Sequence, residues 1–474
     1  MQRRDMLKIG ALAGVSVALQ TGFRLQAANA TPLPILPFQV PLTVPPVARP
    51  VMSTRDTDTY QITMRKADVE IIPGTRTRIW GYDGIFPGPT IKARTGKRVL
   101  VQQRNELDVD TSVHLHGGNT PPSSDGHPTD LIKPRSTKSY YYPNAQPAAP
   151  LWYHEHAHHN EARGVYMGLA GLYLISDELE DSLRLPRDDY DVPLVIADRL
   201  FAPDGSVVLT PADEVLHLRK TILVNGRPQP YFPVAARKYR FRLVNASNER
   251  IYRLHVSTGQ EMVQIASDSG LLPEPVAVSS IELWPAERAE IIVDFSRCKL
   301  GTRLILKNAA GEDPLTQTLM RFDVVRTAPD DSQVPDTLRP LPPADKPATE
   351  REFVMSLNMQ ALRFEINHKP FDPDRVDVRP RLGSTEVWKI YNADTALRIP
   401  HTFHTHLARF RVLDRDGKPP RPGETGLKDT VSVRPGETVR ILPRFVDFTG
   451  RYVYHCHLLG HADNAMMATM EVVH

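Results

Sequence analysis

The chain has 474 residues, with 58 lysines plus arginines against 55 aspartates plus glutamates, 17 histidines and two cysteines. A formal charge of +3 is too small and too scattered for a nucleic-acid partner. No run of 18 apolar residues spans a membrane, and two cysteines build neither a disulfide framework nor a four-thiolate zinc site.

Residues 1–30 begin with a basic stretch, continue with the uncharged run Ile9 to Gly22, and end on the small-residue site Ala28-Asn29-Ala30. That is the anatomy of a cleaved export signal. Arg3-Arg4 followed by Leu7-Lys8 resembles a twin-arginine signal, so export of the folded protein through the twin-arginine machinery, to the periplasm or beyond, is expected. The segment holds four basic and one acidic residue, which leaves the remainder electrically balanced.

Beyond it, short runs alternate apolar and polar residues between Pro and Gly turns: 59–65, 99–104, 239–245, 289–295, 387–391 and 438–443. That alternation predicts half-buried antiparallel strands, and helical periodicity is scarce. Charge rises from Asp177 to Pro193, and the proline-rich stretch 329–349 reads as a linker crossing a surface. The predicted division is 50–177, 188–328 and 350–474, three β-sandwich or barrel units.

An internal repeat supports three units. VLVQQRNELDVDTSVHLH, YRFRLVNASNERIYRLHV and EVWKIYNADTALRIPHTF each run a strand into an asparagine, then a polar turn, then a second apolar segment. The asparagines are Asn105, Asn245 and Asn392, and nine residues after each stand His114, Leu254 and His401. The slot therefore carries histidine in the outer copies and leucine in the middle one, so the middle unit is expected to hold no metal.

Ten of the 17 histidines fall in four clusters: His114-Leu-His116, His154-Glu-His156, His401-Thr-Phe-His404-Thr-His406, and His455-Cys456-His457 with His461. In a strand, residues i and i+2 share a face, so each H-x-H presents two imidazoles side by side. Four such pairs point to a buried group of metal ions. In His455-Cys456-His457 the imidazoles face one way and the thiol the other, so one tripeptide can serve two metal sites. One thiolate with two imidazoles and a weak axial thioether is the blue-copper pattern. Cys456, His461 and Met466 supply three of those donors, and His401, the unpaired member of its cluster, is the candidate for the fourth.

These motifs resemble, in order and over the whole chain beyond residue 30, those of the three-domain multicopper oxidases. HLHGG with DGHP, YYYPNAQ, LWYHEHA and HTFHTHLARFRVLDRDG resemble the spore-coat laccase and bilirubin oxidase branch. The resemblance implies an all-β fold of three consecutive cupredoxin-like Greek-key domains and four copper ions, one type 1, one type 2 and two type 3. By that resemblance His401, Cys456, His461 and Met466 hold type 1, and His114 and His404 hold type 2. His116, His154, His156, His406, His455 and His457 hold the type 3 pair. The implied activity is that of a laccase: one-electron oxidation of phenols, aminophenols or aromatic amines, with O₂ reduced to water. A monomer working on a small reducing substrate is expected, with electrons entering at an exposed edge of His461.

Departures from the family's pattern concern protons. Ala462 follows His461 where this branch carries a proton-relaying glutamate. Asp125, nine residues after His116, matches the family's other relay acid; its alternative is an Asx turn in SSDG. Asp463 is the candidate substitute for the missing glutamate. Cuprous oxidase activity is an alternative, but only Met355 and Met359 offer a thioether pair. Bilirubin oxidation is another, but Ile399-Pro400 stands where those enzymes carry a Trp before the first type 1 histidine. Copper-free relatives that act in cell division have shed the ligands, all of which this chain retains.

Overall fold

The computed structural model describes residues 35–209 and 218–474, so the export signal read at residues 1–30 lies outside the described residues. Six sheets pair face to face as three sandwiches. In the first, the strands Met52–Ser53, Thr57–Val69, Arg98–Asn105 and Thr137–Tyr142, with Thr77–Tyr82 beside Thr57–Val69, cover the sheet Gly88–Arg94, Ala170–Ser176, Ala149–Glu155 and Val113–His116. The core between them takes Tyr60, Ile62, Val99 and Val101 from one sheet and Ile91, Val113, Leu151 and Tyr173 from the other. The middle sandwich packs a seven-stranded against a five-stranded sheet. In the third, a five-stranded sheet containing Thr349–Asn358 and Glu386–Asn392 packs on a four-stranded one ordered Thr430–Val433, His401–Thr405, Gly450–Cys456, Met467–Val472. Architecture and strand content are those of consecutive cupredoxin domains.

The repeated asparagine has one physical job in all three sandwiches. Asn105 donates from Nδ2 to the carbonyls of Val109 and Ile132, both at 2.8 Å, and accepts from the Leu107 amide at 2.9 Å. Asn245 does the same with Arg250, Leu283 and Ser247, and Asn392 with Ile399, Val433 and Asp394. Each side chain thus ties the corner where a strand leaves one sheet to the strand that continues in the other. All three are fully buried, which is why an amide able to satisfy both loop carbonyl and loop amide is needed there. The corner sets the register of the following strand and so the placement of His114, Leu254 and His401. Leu254 closes the middle sandwich's hydrophobic core.

Residues 327–348 carry neither helix nor strand and cross between two sandwiches: the Leu338 amide bonds the Pro273 carbonyl of the middle one and Leu338 packs beside Leu272, while Asp345 pairs with Arg444 of the third at 3.0 Å. No helix among the described residues is long and apolar enough to cross a membrane.

Candidate metal centre

The histidine strands of the first and third sandwiches face each other across the seam between the two. His114 stacks on His406 and His116 on His404, each pair with ring centroids 3.7 Å apart. Within each H-x-H the rings are 5.0 to 5.8 Å apart, the same-face spacing that strand alternation dictates. The donor nitrogens gather in triples whose members lie within 4.8 Å of one another: His116, His154 and His457; His156, His406 and His455; His114, His404 and His406.

The orientation of each ring is set from outside. His114 Nδ1 reaches the Asp125 carbonyl at 2.6 Å, His154 Nδ1 the Glu155 carbonyl at 2.8 Å, and His404 Nδ1 the Asp429 carbonyl at 2.9 Å. His406 Nδ1 reaches Asp125 Oδ2 at 2.7 Å and His455 Nδ1 the Cys456 carbonyl at 3.0 Å. His116 is turned the other way, with Nε2 on Asp429 Oδ1 at 3.0 Å. The opposite nitrogens, among them His114 Nε2, His116 Nδ1, His154 Nε2, His404 Nε2 and His406 Nε2, are buried with no partner. A ring that donates outward and leaves its inner nitrogen bare is the arrangement of a metal-ligating histidine. Burial keeps these rings neutral: it drives His154 down to about 3 and His455 to about 4, and the others well below the ordinary histidine value. The donor set therefore fits copper ions.

On the other face of the strand Gly450–Cys456, the Cys456 thiol enters the core of the third sandwich. Its Sγ lies 3.7 Å from both His401 Nδ1 and His461 Nδ1, and these nitrogens are 3.2 Å apart. Bonds of about 2.0–2.3 Å from nitrogen or sulfur to one ion place their donors about 3.5 Å apart, so the trio fits a single metal. Met466 is fully buried beside it, its carbonyl accepting the Cys456 amide at 3.0 Å. His401 is steered by Asp394, whose Oδ2 lies 2.8 Å from Nε2.

His461 differs from expectation. It is 2% exposed, because Phe364 stacks on its ring with centroids 3.8 Å apart. The Phe364 amide bonds the Asn464 carbonyl, which ties the hairpin formed by Thr349–Asn358 and Arg363–Ile366 to the helix Leu459–Asp463. A ring on the strand after a tight turn has no sequence mark that sets it over a histidine a hundred residues away.

The carboxyls also resolve. Asp125 forms no Asx turn: its Oδ2 is committed to His406, while Oδ1 is buried, unpartnered and 3.7 Å from His114 Nδ1. Burial raises its pKa well above the carboxylate range. Asp463 accepts the Glu161 and Ala162 amides and so caps the helix Glu161–Met167, with burial lifting its carboxyl to about 7. The acid that reaches the cluster rings is Glu161, which the sequence reading passed over. Its Oε1 is 3.9 Å from both His154 Nδ1 and His156 Nε2, buried and without a hydrogen-bond partner. In the sequence it looks like any acidic residue of a first helical turn. Ala462 packs against Phe371, Val453 and Met467 instead. Glu155, between two cluster histidines, faces away and accepts the Ser112 and Ala157 amides. Cys298 is partly buried against the middle core and belongs to none of the donor groups.

Comparison with known proteins agrees with this geometry. Models of the multicopper oxidase family match residues 63–180 and 343–474. A laccase of Bacillus stratosphericus is 39% identical, with 91% of this chain and 98% of that protein covered. A bilirubin oxidase of Albifimbria verrucaria is 35% identical, with 91% and 80% covered. The crystal structure of a laccase from Pediococcus acidilactici superimposes with a TM-score of 0.87 at 34% identity, covering 96% of each chain.

Proposed function

This chain is a laccase-like multicopper oxidase, and from that premise we propose how its residues divide the work. Bound copper supplies one-electron acceptance at the thiolate site and reduction of O₂ to water at a trinuclear group. Four ions would be held: type 1 by His401, Cys456, His461 and Met466; type 2 by His114 and His404; type 3 by the triples His116, His154, His457 and His156, His406, His455. The observation that carries this reading is the tripeptide 455–457. Cys456 Sγ stands 3.7 Å from the two type 1 nitrogens, while the rings on either side of it belong to the type 3 triples. The Cys456 side chain and either flanking imidazole are thus joined by one continuous covalent path, along which the bound ions would be connected.

The protein's own chemistry around the metals is positional and protonic. Outward bonds from the ring nitrogens hold the imidazoles in place before any ion enters. Asp125 Oδ1 and Glu161 Oε1, both buried and without a hydrogen-bond partner, hold protons beside the cluster rings, Asp125 at His406 and His114 and Glu161 at His154 and His156. Glu161 takes the part that Ala462 leaves open, and Asp463 supports it by anchoring the helix on which it sits.

The reducing substrates are phenols, aminophenols and aromatic amines, which dock at the hairpin whose Phe364 ring covers His461. Cuprous oxidation finds little support: Met355 is fully buried and Met359 stands alone at 44% exposure. The protein acts as a monomer after export through the twin-arginine machinery. Oxygen uptake with a phenol, an aminophenol, bilirubin and Cu(I) side by side tests the substrate class; faster turnover of Cu(I) than of any organic donor refutes it. Cys456→Ser is expected to abolish the intense thiolate-to-copper absorption and the activity together, and retention of that band refutes the type 1 assignment.

A further inference from the structure

Arg288 opens the strand Arg288–Asp294 of the middle sandwich, the one that holds none of the proposed ligands. Its guanidinium is wholly buried, and all five of its N–H groups are used. Nε donates to the Pro150 carbonyl of the first sandwich at 3.1 Å. Nη1 donates to the Ala286 carbonyl at 3.1 Å and to Asp429 Oδ1 at 2.7 Å. Nη2 donates to the Asp268 carbonyl at 2.8 Å and to Asp429 Oδ2 at 2.5 Å. Asp429 belongs to the third sandwich, so one side chain joins all three.

Asp429 in turn touches two cluster histidines. Its Oδ1 lies 3.0 Å from His116 Nε2, and its carbonyl 2.9 Å from His404 Nδ1. Thr430 Oγ1 bonds the same Oδ1 and stands 3.0 Å from His116 Nε2. A carboxylate on the outer nitrogen fixes a ring's tautomer and plane and leaves the inner nitrogen for a metal. His116 Nδ1 is that inner nitrogen. The fork-on-fork contact between Arg288 and Asp429 leaves the carboxylate one orientation, which a lysine's single point charge would not impose. Close by, Gly117 follows His116 with φ +81°, and a Cβ there would sit 2.6 Å from both Arg288 Nη2 and Asp429 Oδ2. The absence of a side chain at 117 is what lets the ion pair pass so close to the histidine strand.

We propose that Arg288 is a positioning residue of the trinuclear copper site: the ligand-free middle domain contributes the buried cation that orients Asp429 and, through it, His116 and His404. The proposal rests on the ligand assignment above. Removing one partner of a buried pair leaves an uncompensated charge, and losing an outer partner of a metal-bound histidine weakens metal binding by about 10–100-fold.

The test loads purified, copper-free Arg288→Met, Arg288→Lys and wild-type protein with copper against a competing chelator. It then counts copper per chain and records the type 2 electron paramagnetic resonance signal beside the blue absorption of the Cys456 site. Arg240→Met, which breaks a buried ion pair with Glu290 and Glu180 in the same sandwich away from the cluster, is the control for stability loss. Both Arg288 variants are expected to keep the blue band, bind the cluster copper about 10–100-fold more weakly, and show an altered type 2 signal, while Arg240→Met keeps the wild-type signal. Should Arg288→Met fail to fold, Arg288→Lys, which retains the charge, carries the test. Wild-type copper content and signal in a folded Arg288 variant, or the same loss in Arg240→Met, overturns the clamp. Failure of the wild type to load copper refutes the ligand assignment instead.

Discussion

The three corner asparagines allow a prediction with its own internal control. Asn245→Ala removes three hydrogen bonds, of 2.8, 3.1 and 3.0 Å, from a site with no solvent access. Three net contributions of about 1 kcal/mol each, with the Ser247 amide and the Arg250 and Leu283 carbonyls left without that partner, give a loss of about 3–6 kcal/mol. In a sandwich of this size that lowers the unfolding midpoint by about 10–20 °C. Asn105→Ala and Asn392→Ala break the same set of bonds and are expected to cost the same. Their consequences for copper are expected to differ. Asn392 bonds the Ile399 carbonyl, two residues before His401, so its loss disturbs the blue band. Asn105 governs the corner before His114, so its loss disturbs the cluster and spares the blue band. Asn245 precedes Leu254, so its loss lowers stability with full copper content. Thermal unfolding of the three variants, with copper counts and visible spectra on the folded proteins, checks this. A cost below about 1 kcal/mol, or loss of copper in Asn245→Ala equal to that in the other two, would refute the reasoning.

Glu161→Gln keeps the shape but holds no exchangeable acid proton; reoxidation of the fully reduced enzyme by O₂ is expected to slow about 100-fold and to lose the part of its pH dependence that Glu161 supplies, leaving that of Asp125. Burial raises Glu161 well above the ordinary glutamate value, so in the wild type the rate is full at low pH and falls as pH rises through that raised pKa; an unchanged rate and profile in the variant sinks the relay assignment. Phe364→Ala uncovers His461: kcat/KM for bulky phenols is expected to rise about tenfold, equivalent to about 1.4 kcal/mol, and the type 1 potential to fall as water favours the more highly charged oxidised ion. Unchanged kinetics and potential would place the donor site elsewhere. The copper-free protein is expected to be acid-labile. Burial depresses His154 from 6.5 to about 3 and His455 to about 4, so their stability contribution is complete above pH 6.5 and is lost progressively as pH falls from there to those values. At 1.36 kcal/mol per pKa unit this amounts to roughly 3–5 kcal/mol for each ring. Urea midpoints that are equal at pH 7 and pH 4.5 would contradict it, and copper, which needs the neutral imidazoles, should protect at both.

What the sequence determined about this protein is what one strand or one turn encodes. Alternation in runs such as 239–245 and 438–443 specifies strands, because one face of each must be buried. The recurring asparagine marks each corner, because a buried turn needs an amide that donates and accepts. Histidines two apart specify a shared face, and Cys456 between two of them specifies a thiol on the opposite one. Packing settled the rest, between elements with no common local pattern. Asp429 and His116 are 313 positions apart and share no periodicity that would pair them. Glu161 reaches the cluster rather than solvent because Asp463, from the far end of the chain, caps its helix. Phe364 closes over His461 because a hairpin folds back onto the helix Leu459–Asp463. The grouping of the histidines was local and therefore legible; the carboxylates behind them, the covering ring and the Arg288–Asp429 pair arise between elements, and only packing brings those atoms within bonding distance.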